Sequence, residues 1–394
     1  MKKILIIHHG QGVGGGLIAL IGLINELKEN NNVEVFSIFD GIAVEYLRKT
    51  GVSVIVSKSV FYRKFYSLFI QSEATYINLI EEIIKFKALI AYFLNKYFFA
   101  GRELKDILQG IDLVYLNSTF ISDWAYAAKK SNKNVIIHVR EPLSNGFFGM
   151  GYNIIRNNIS KYCDKIIAIS KDNCGRVNLE NKTTIIYDPV VIENRNAFEK
   201  LNIIDKYKYF VYVGGQSRIK GFEQFVNSLK YLNEDVKIFF LGGEIKYNNN
   251  SILKKLIRNF LDPYARNHEN LKKILLASKN IVYIGLTDNV FYFYNRSICL
   301  ISPFSKSHAS LPVLEAFSNG IPVIVSDVKG SDEFVNHSNG FFFENKNPQS
   351  LANRINEMSR LSSENYKSMK NSSYETYLRI RKNEIKVQSL IDIL

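Results

Sequence analysis

Short apolar runs separated by stretches of helical length recur along this chain of 394 residues, and no other feature limits its fold more. A strand covered on both faces reads as a continuous run of branched residues, and a helix-length crossover makes two such strands parallel. In the first half the runs are Lys3 to Ile7, Val33 to Phe39, Val52 to Val56, Leu113 to Leu116, Asn134 to Val139, Lys165 to Ile169 and Thr183 to Tyr187. The alternation restarts at Tyr209 to Val213, then Lys237 to Leu241, Ile281 to Ile284, Ile298 to Ser302, Pro322 to Ser326 and Gly340 to Phe343. The expectation is an α/β protein of two Rossmann-like, doubly wound parallel-sheet domains, and the length suits two domains of roughly 200 residues. The segment Asp188 to Ala197 has no clear period, and Asp188-Pro189 disfavours helix there. The domains are therefore set at 1–188 and 189–379, with a C-terminal helix over about 380–394 expected to pack back on the first. Sheets of this kind bind ligands beyond the carboxyl ends of their strands, so a central cleft between the two is the expected active site.

Charge narrows the partners. The chain carries 51 Lys and Arg against 37 Asp and Glu, a formal +14. Residues 1–200 hold 25 basic and 19 acidic side chains and the remainder 26 and 18, so the halves are +6 and +8. An even spread, without a basic tail, zinc-finger spacing or RNA-recognition signature, argues against a nucleic-acid partner. Cys163, Cys174 and Cys299 lie far apart in no metal-ligand spacing, so no metal site is expected and a reducing cytoplasm is the simplest compartment. No run of apolar residues reaches the length of a membrane span, and the apolar stretch Ile4 to Ile7 is too short for a signal peptide.

One region breaks the rhythm. Residues Phe61 to Lys105 read as an insertion of helical character, and within it Ile83 to Phe99 sets Lys85, Lys87 and Lys96 among aromatic and aliphatic residues. Two readings stand side by side: a core-packing helix with its lysines in water, or an element lying on an anionic membrane surface or binding a lipid-linked acceptor.

Glycine-rich turns mark the ligand sites. Gly10-Gln-Gly12-Val-Gly14-Gly15-Gly16 follows a strand and precedes a helix expected over Leu17 to Lys28. Its letters match a dinucleotide fingerprint, with Asp40 as a ribose ligand, although 25 residues from Gly15 is long for that role. In the second half, Gly214-Gly215-Gln-Ser-Arg218-Ile-Lys220-Gly221 follows the strand ending at Val213. Arg218 and Lys220 suit the two charges of a nucleotide pyrophosphate. Further on, a helix start at Leu311-Pro312 offers unpaired N–H groups to phosphate, and Glu315 can accept bonds from two adjacent sugar hydroxyls. Lys329-Gly330-Ser-Asp-Glu333 follows the next strand.

At these residues the chain resembles the family 4 glycosyltransferases, retaining enzymes of the GT-B fold, of the type that builds bacterial surface polysaccharide such as capsule or lipopolysaccharide. The likeness covers nearly the whole chain: the first glycine loop, Val213-Gly214 with Lys220-Gly221, Leu311-Pro-Val-Leu-Glu315-Ala with Gly320-Ile-Pro-Val-Ile324, and Gly330-x-x-Glu333 with Asn339-Gly340. The resemblance implies a donor site of Gly214, Gly215, Lys220, Ser307, Leu311, Pro312, Glu315 and Glu333, with the N-terminal glycines Gly12, Gly14, Gly15 and Gly16 beside it. Lys220 would lie on the donor pyrophosphate, Leu311-Pro312 on the phosphates and Glu315 on the ribose. Two positions depart from the pattern. Gly215 stands where the family usually has Arg, with Arg218 as a nearby substitute, and Ser307 stands where the first of a pair of carboxylates is usual. His138, at the end of a strand beside Arg140 and Glu141, matches by context a histidine that faces the donor sugar; a satisfied structural histidine is the alternative.

The implied activity is transfer of a hexosyl group from a nucleotide-diphosphate sugar, as co-substrate rather than cofactor, to a glycan or lipid-linked acceptor. Retention would follow a metal-independent front-face displacement in which the departing phosphate takes the acceptor proton. Lys220, Arg218 and His138 are the expected catalytic residues, with developing phosphate charge met by the two cations and the helix start. The first domain would take the acceptor and the second the donor. The location implied is cytoplasmic, with peripheral attachment to the inner face of the cell membrane left open. A nucleotide-sugar epimerase, a nicotinamide or flavin oxidoreductase and a non-catalytic partner subunit are the rival readings.

Overall fold

The structure, a computed structural model, describes residues 1–74, 79–145, 149–191, 204–243, 263–307, 309–382 and 385–394. Part of the insertion, residues 75–78, and part of the expected linker, residues 192–197, fall outside them. The chain divides into two units, Met1–Val191 with Glu384–Leu394, and Ile192–Asn383.

In the first unit the described strands are β1 (Lys3–His8), β2 (Asn32–Ser37), β3 (Ser53–Val56), β4 (Leu113–Leu116), β5 (Asn134–Val139), β6 (Lys165–Ala168) and β7 (Thr183–Ile185). They form one parallel sheet in the order β3-β2-β1-β4-β5-β6-β7. Because side chains alternate along a strand, Leu5 and Ile7 enter one core and Ile4 and Ile6 the other, one on each face of the sheet. That double burial is why the strands read as unbroken apolar runs. Helix α1 (Gly15–Leu27) covers the second core through Leu17, Leu20, Leu23, Ile24 and Leu27. The same core takes Val387, Leu390 and Ile391 from a short helix at Val387–Asp392. Lys2 Nζ donates to Ile391 O at 2.6 Å and Asn134 Nδ2 to Leu394 O at 2.7 Å, which ties this segment to the residues that open β1 and β5.

The insertion is helical: α2 (Leu79–Leu94) runs through one wide π-type turn, Asn95–Phe99, into α3 (Ala100–Leu104). The wide turn carries Asn95 into a buried polar cluster. Asn95 Nδ2 donates to Asp123 Oδ2 at 2.7 Å, Tyr66 Oη donates to the same oxygen at 3.0 Å, and Tyr62 Oη donates to Asn95 Oδ1 at 2.6 Å. Burial pushes the Asp123 carboxyl up to about 7, opposed by its hydrogen bonds from Asn95 and Tyr66 and from backbone N–H groups. An acid raised above its unfolded value of about 3.9 favours the folded state below that value and loses the advantage as pH climbs through the folded one. The stability of wild type relative to Asp123→Asn is therefore expected to fall between about pH 4 and about pH 7, as read by urea unfolding across that range. A difference that stays flat across that window would show that Asp123 does not titrate there.

The second unit holds β8 (Lys208–Val213), β9 (Val236–Leu241), β10 (Ile281–Gly285), β11 (Cys299–Ser302), β12 (Val323–Ser326) and β13 (Gly340–Phe343), parallel in the order β10-β9-β8-β11-β12-β13. Its core is rich in stacked rings, with Tyr212 lying 4.3 Å from Phe225 and 5.2 Å from Phe240 between centroids. Much of the chain's aromatic excess is absorbed here and under the insertion. Each sheet reverses its strand order once, between β1 and β4 and between β8 and β11, and these switch points are where open sheets bind ligands.

Candidate active site

At the switch point of the second unit the loop Gly214 to Gly221 leaves β8 and is held from several sides. Tyr212 Oη donates to Gly215 O at 3.1 Å and to Lys220 O at 3.3 Å, joining the two ends of the loop. A Cβ on Gly214 would stand 2.3 Å from that same hydroxyl, so the tie requires glycine. Gly214 N and Gly215 N both donate to Leu241 O, at 3.3 and 3.0 Å. Ser305, just past β11, donates from its backbone to Ile219 O at 2.8 Å and from its hydroxyl to Arg218 O at 2.9 Å. Gly221 closes the loop at φ +78°, where a Cβ would fall 1.6 Å from Pro303 O. Lys220 is thus presented by a backbone with little freedom.

Helix α4 (Leu311–Ser318) begins beside it. Its N-cap, Ser310, makes no capping bond; its hydroxyl pairs instead with Ser302 Oγ at 3.3 Å. Leu311 is buried, Pro312 brings no N–H to the first turn, Val313 N donates to Ser310 O at 3.0 Å, and no side chain caps this end. One turn further in, Glu315 Oε2 accepts from Tyr294 Oη at 3.0 Å. Burial pushes the Glu315 carboxyl up to about 7, opposed by the Tyr294 hydrogen bond and the Lys220 charge. Burial in turn lowers the Lys220 ammonium from its ordinary value, opposed by Glu315. Both shifts come from one low-dielectric site, where an arriving anion favours the charged form of the lysine.

The remaining residues expected in this unit divide. Arg218 lies over the Tyr264 ring, 4.3 Å from its centroid. Ser307 is buried and donates to Lys329 O at 2.8 Å, which fastens the segment before α4 to the loop after β12. Glu333 ends a single turn, Ser331–Glu333, that follows Gly330 at φ +89°. Between that turn and the start of α4 lies a small, mostly apolar pocket with Phe304, Val313, Val325 and Phe334 in its walls.

In the first unit the glycine loop after β1 is informative through what surrounds it. A Cβ at Gly12, Gly14, Gly15 or Gly16 would meet no protein atom within 4 Å, and none of the four has positive φ. Neither packing nor backbone geometry demands glycine there. The loop leaves open space above the uncapped start of α1, as a site for a bound anion does. Asp40, the expected ribose ligand, is exposed and accepts from Gly41 N at 2.9 Å in a local turn.

His138, one residue before the end of β5, is buried, and its Nε2 has no hydrogen-bond partner among the described residues. Its Nδ1 meets Tyr115 Oη at 2.7 Å, and burial with the neighbouring Arg140 charge holds it well below the ordinary histidine value. The sheet edge instead carries a network that the sequence did not single out. Arg140 bonds Asp188 Oδ1 at 2.5 Å and Asn117 Oδ1 at 2.9 Å, and Asn117 Nδ2 lies 3.3 Å from His8 Nδ1. Burial, His9 and Arg140 lower His8 to about 3. Its four members come from the ends of β1, β4, β5 and the segment after β7, so no local motif announces them. Tyr294 and Tyr264 were likewise hidden, the first in the run Phe291 to Tyr294 that reads as core.

Comparison with known proteins gives this geometry a context. Residues 193–376 match the family model for glycosyl transferases group 1. An uncharacterized glycosyltransferase of Haemophilus influenzae is 23% identical over 306 residues, 70% of this chain and 79% of that protein. Among solved structures, Anabaena HepE in complex with UDP and glucose aligns over 100% of both chains at a TM-score of 0.74 and 15% identity. The lipopolysaccharide outer core galactosyltransferase WaaB, in its apo form, aligns over 97% of this chain and 98% of its own at 0.57 and 18% identity. The family match covers the unit that holds Lys220 and Glu315, and the structural likenesses show the GT-B fold of two Rossmann-like sheets.

Proposed function

We propose that this chain, whose second unit carries the glycosyl transferases group 1 match, is a retaining glycosyltransferase that moves a hexosyl group from a nucleotide-diphosphate sugar to an acceptor hydroxyl. The observation that carries the reading is the meeting of Lys220, Glu315 and the uncapped start of α4 at a sheet switch point. In this reading the α4 N–H groups and Lys220 hold the pyrophosphate, and Glu315 takes the ribose hydroxyls on the oxygen that Tyr294 leaves available. As the sugar departs, charge grows on the β-phosphate, and the fixed cation and amide dipoles stabilise it more than they stabilise the ground state. In this reading the same positive groups supply what a metal would otherwise supply, and the step uses neither a metal nor a further cofactor. Gly214, Gly215 and Arg218 shape the phosphate loop. Ser307, Glu333 and the pocket beside them border the donor sugar, which meets a neutral hydroxyl where relatives of this pattern carry a carboxylate. The first unit takes the acceptor, a glycan or lipid-linked glycan of a bacterial surface polysaccharide, with Gly12, Gly14, Gly15 and Gly16 facing the ligands. His138, the third residue of the expected catalytic set, lies by its Nδ1 3.4 Å from Arg140 Nη2. HepE is described with UDP and glucose and WaaB as a lipopolysaccharide galactosyltransferase, which supports a nucleotide-sugar donor and a surface glycan.

Screening nucleotide sugars by diphosphate release, with the anomeric configuration of the product read by NMR, tests this reading. Release of an altered nucleotide sugar without acceptor would make the chain an epimerase, and failure to bind any nucleotide sugar would remove the assignment. With a donor in hand, Tyr294→Phe is expected to raise donor KM roughly three- to tenfold with kcat little changed, since it removes one hydrogen bond to a ligating carboxylate. Steady-state kinetics at saturating acceptor give that split.

A further inference from the structure

The outer face of the insertion is a feature of the first unit that the transfer reaction leaves unused. Along α2 and the wide turn after it, Phe86, Ile90, Phe93, Leu94, Tyr97 and Phe98 are all exposed, with Phe86 and Phe98 each at 57%. Their spacing of three and four residues places them on one side, while Ala88, Ala91, Tyr92 and Asn95 are buried on the other. This inverts the usual arrangement of a surface helix, whose apolar side faces the core and whose charged side faces water.

The rim of this face is basic. Lys87 is exposed beside Phe86 and Ile90. Lys96 Nζ lies 5.1 Å from the Tyr97 ring and 4.9 Å from the Tyr162 ring. Lys161 stands over Tyr162 at 5.4 Å and Lys130 over Tyr126 at 6.0 Å. Tyr97, Tyr126 and Tyr162 are themselves edge-to-face neighbours, so the lysines share one aromatic border. Asp164 is engaged by Lys129 at 2.6 Å and Glu103 accepts from Ser57 Oγ at 2.7 Å. No helix among the described residues is long and apolar enough to cross a membrane. A helix with one aromatic face and a rim of lysines is built to lie in the plane of a bilayer, rings among the acyl chains and ammonium groups at the phosphates.

We propose that the face running from Phe86 to Phe98 docks this protein onto an anionic phospholipid bilayer, with Lys87, Lys96, Lys130 and Lys161 meeting the headgroup phosphates. A second copy of the chain fits less well, because it would bring the same basic rim, and a chain of the same +14 charge, against its own kind. The proposal does not depend on the transfer reaction, since docking is read without donor or acceptor.

Co-sedimentation with vesicles of phosphatidylcholine alone, and of phosphatidylcholine with phosphatidylglycerol, tests it. Three proteins are compared: wild type, Phe86→Ser/Phe93→Ser/Phe98→Ser, and Lys87→Gln/Lys130→Gln/Lys161→Gln. All substituted side chains are at the surface, and an unchanged urea midpoint confirms that each variant is folded. Wild type is expected to bind the phosphatidylglycerol vesicles and to be weakened by salt. The lysine variant is expected to lose roughly tenfold or more on those vesicles, and the aromatic variant at least as much. Equal binding of the folded aromatic variant, no preference for anionic vesicles, or a wild-type dimer in light scattering that the aromatic variant converts to monomer would each overturn it.

Discussion

Lys220→Ala is expected to lower kcat/KM for the nucleotide-sugar donor by roughly 100- to 1,000-fold, the range for removing one preorganised donor to a developing oxyanion. Two effects combine. The variant removes the ammonium that would face the leaving phosphate, and it also removes the charge that holds the Glu315 carboxyl down against its burial. Glu315 then rises further from its value of about 7 and is protonated over more of the neutral range, which weakens its grip on the ribose. Lys220→Arg separates these contributions. It keeps the positive charge near Glu315 but spreads it over a planar fork that does not match the place of a compact ammonium, so it should restore the pH profile more fully than the rate. Diphosphate release at subsaturating donor, followed across pH, reads both. If Lys220→Ala turns over as wild type does, the anion site lies elsewhere.

Gly221→Ala should be the most damaging small substitution in the second unit. At φ +78° an alanine costs about 1–2 kcal/mol in backbone energy alone. Its Cβ would also stand 1.6 Å from Pro303 O, which accepts from Gln224 Nε2 at 2.7 Å. Moving that carbonyl breaks the bond, so the total loss is about 3–5 kcal/mol once overpacking is included. For a unit of this size that corresponds to a fall of about 10 °C in its melting temperature. Gly12→Ala is the matched control: nothing lies within 4 Å of its Cβ, and its stability should stay within about 0.5 kcal/mol of wild type. Calorimetry of both variants gives the comparison, and an unshifted melt for Gly221→Ala would mean that the loop relaxes freely.

Much of this architecture was legible because burial on both faces of a parallel sheet leaves a strong mark on composition. Leu113–Leu116, Asn134–Val139 and Gly340–Phe343 are strands at the bounds their apolar runs suggest; β2 differs by one or two residues at both ends and the others by one or two at one end. The donor-side turn was legible for a similar reason, since glycines and cations packed into eight residues at a strand's end suit little besides an anion. What stayed hidden depends on contacts between distant elements. His138 lies deeper than its place in the sequence suggests, because a strand's period of two does not say how deep a residue lies; its Nδ1 meets Tyr115 Oη from the neighbouring strand. Arg140 and Asp188 are 48 positions apart, and only the fold makes them partners. In the insertion, a core-packing helix would keep its lysines in water and its rings inside. The helix does pack on the core through Ala88, Ala91 and Tyr92, yet Lys85 is buried and six apolar side chains face outward.

The short helix Val387–Asp392 has a consequence for how the chain comes off the ribosome. The first sheet could be thought complete once Ile185 has emerged, and vectorial synthesis would then let it settle before the second unit exists. Yet the core beneath Ile4 and Ile6 also needs Val387, Leu390 and Ile391, which are made some two hundred residues later. Until then a nascent first unit carries an uncovered apolar strip, open to chaperones and to other nascent chains. The sheet that begins the chain is thus among the last parts to be sealed.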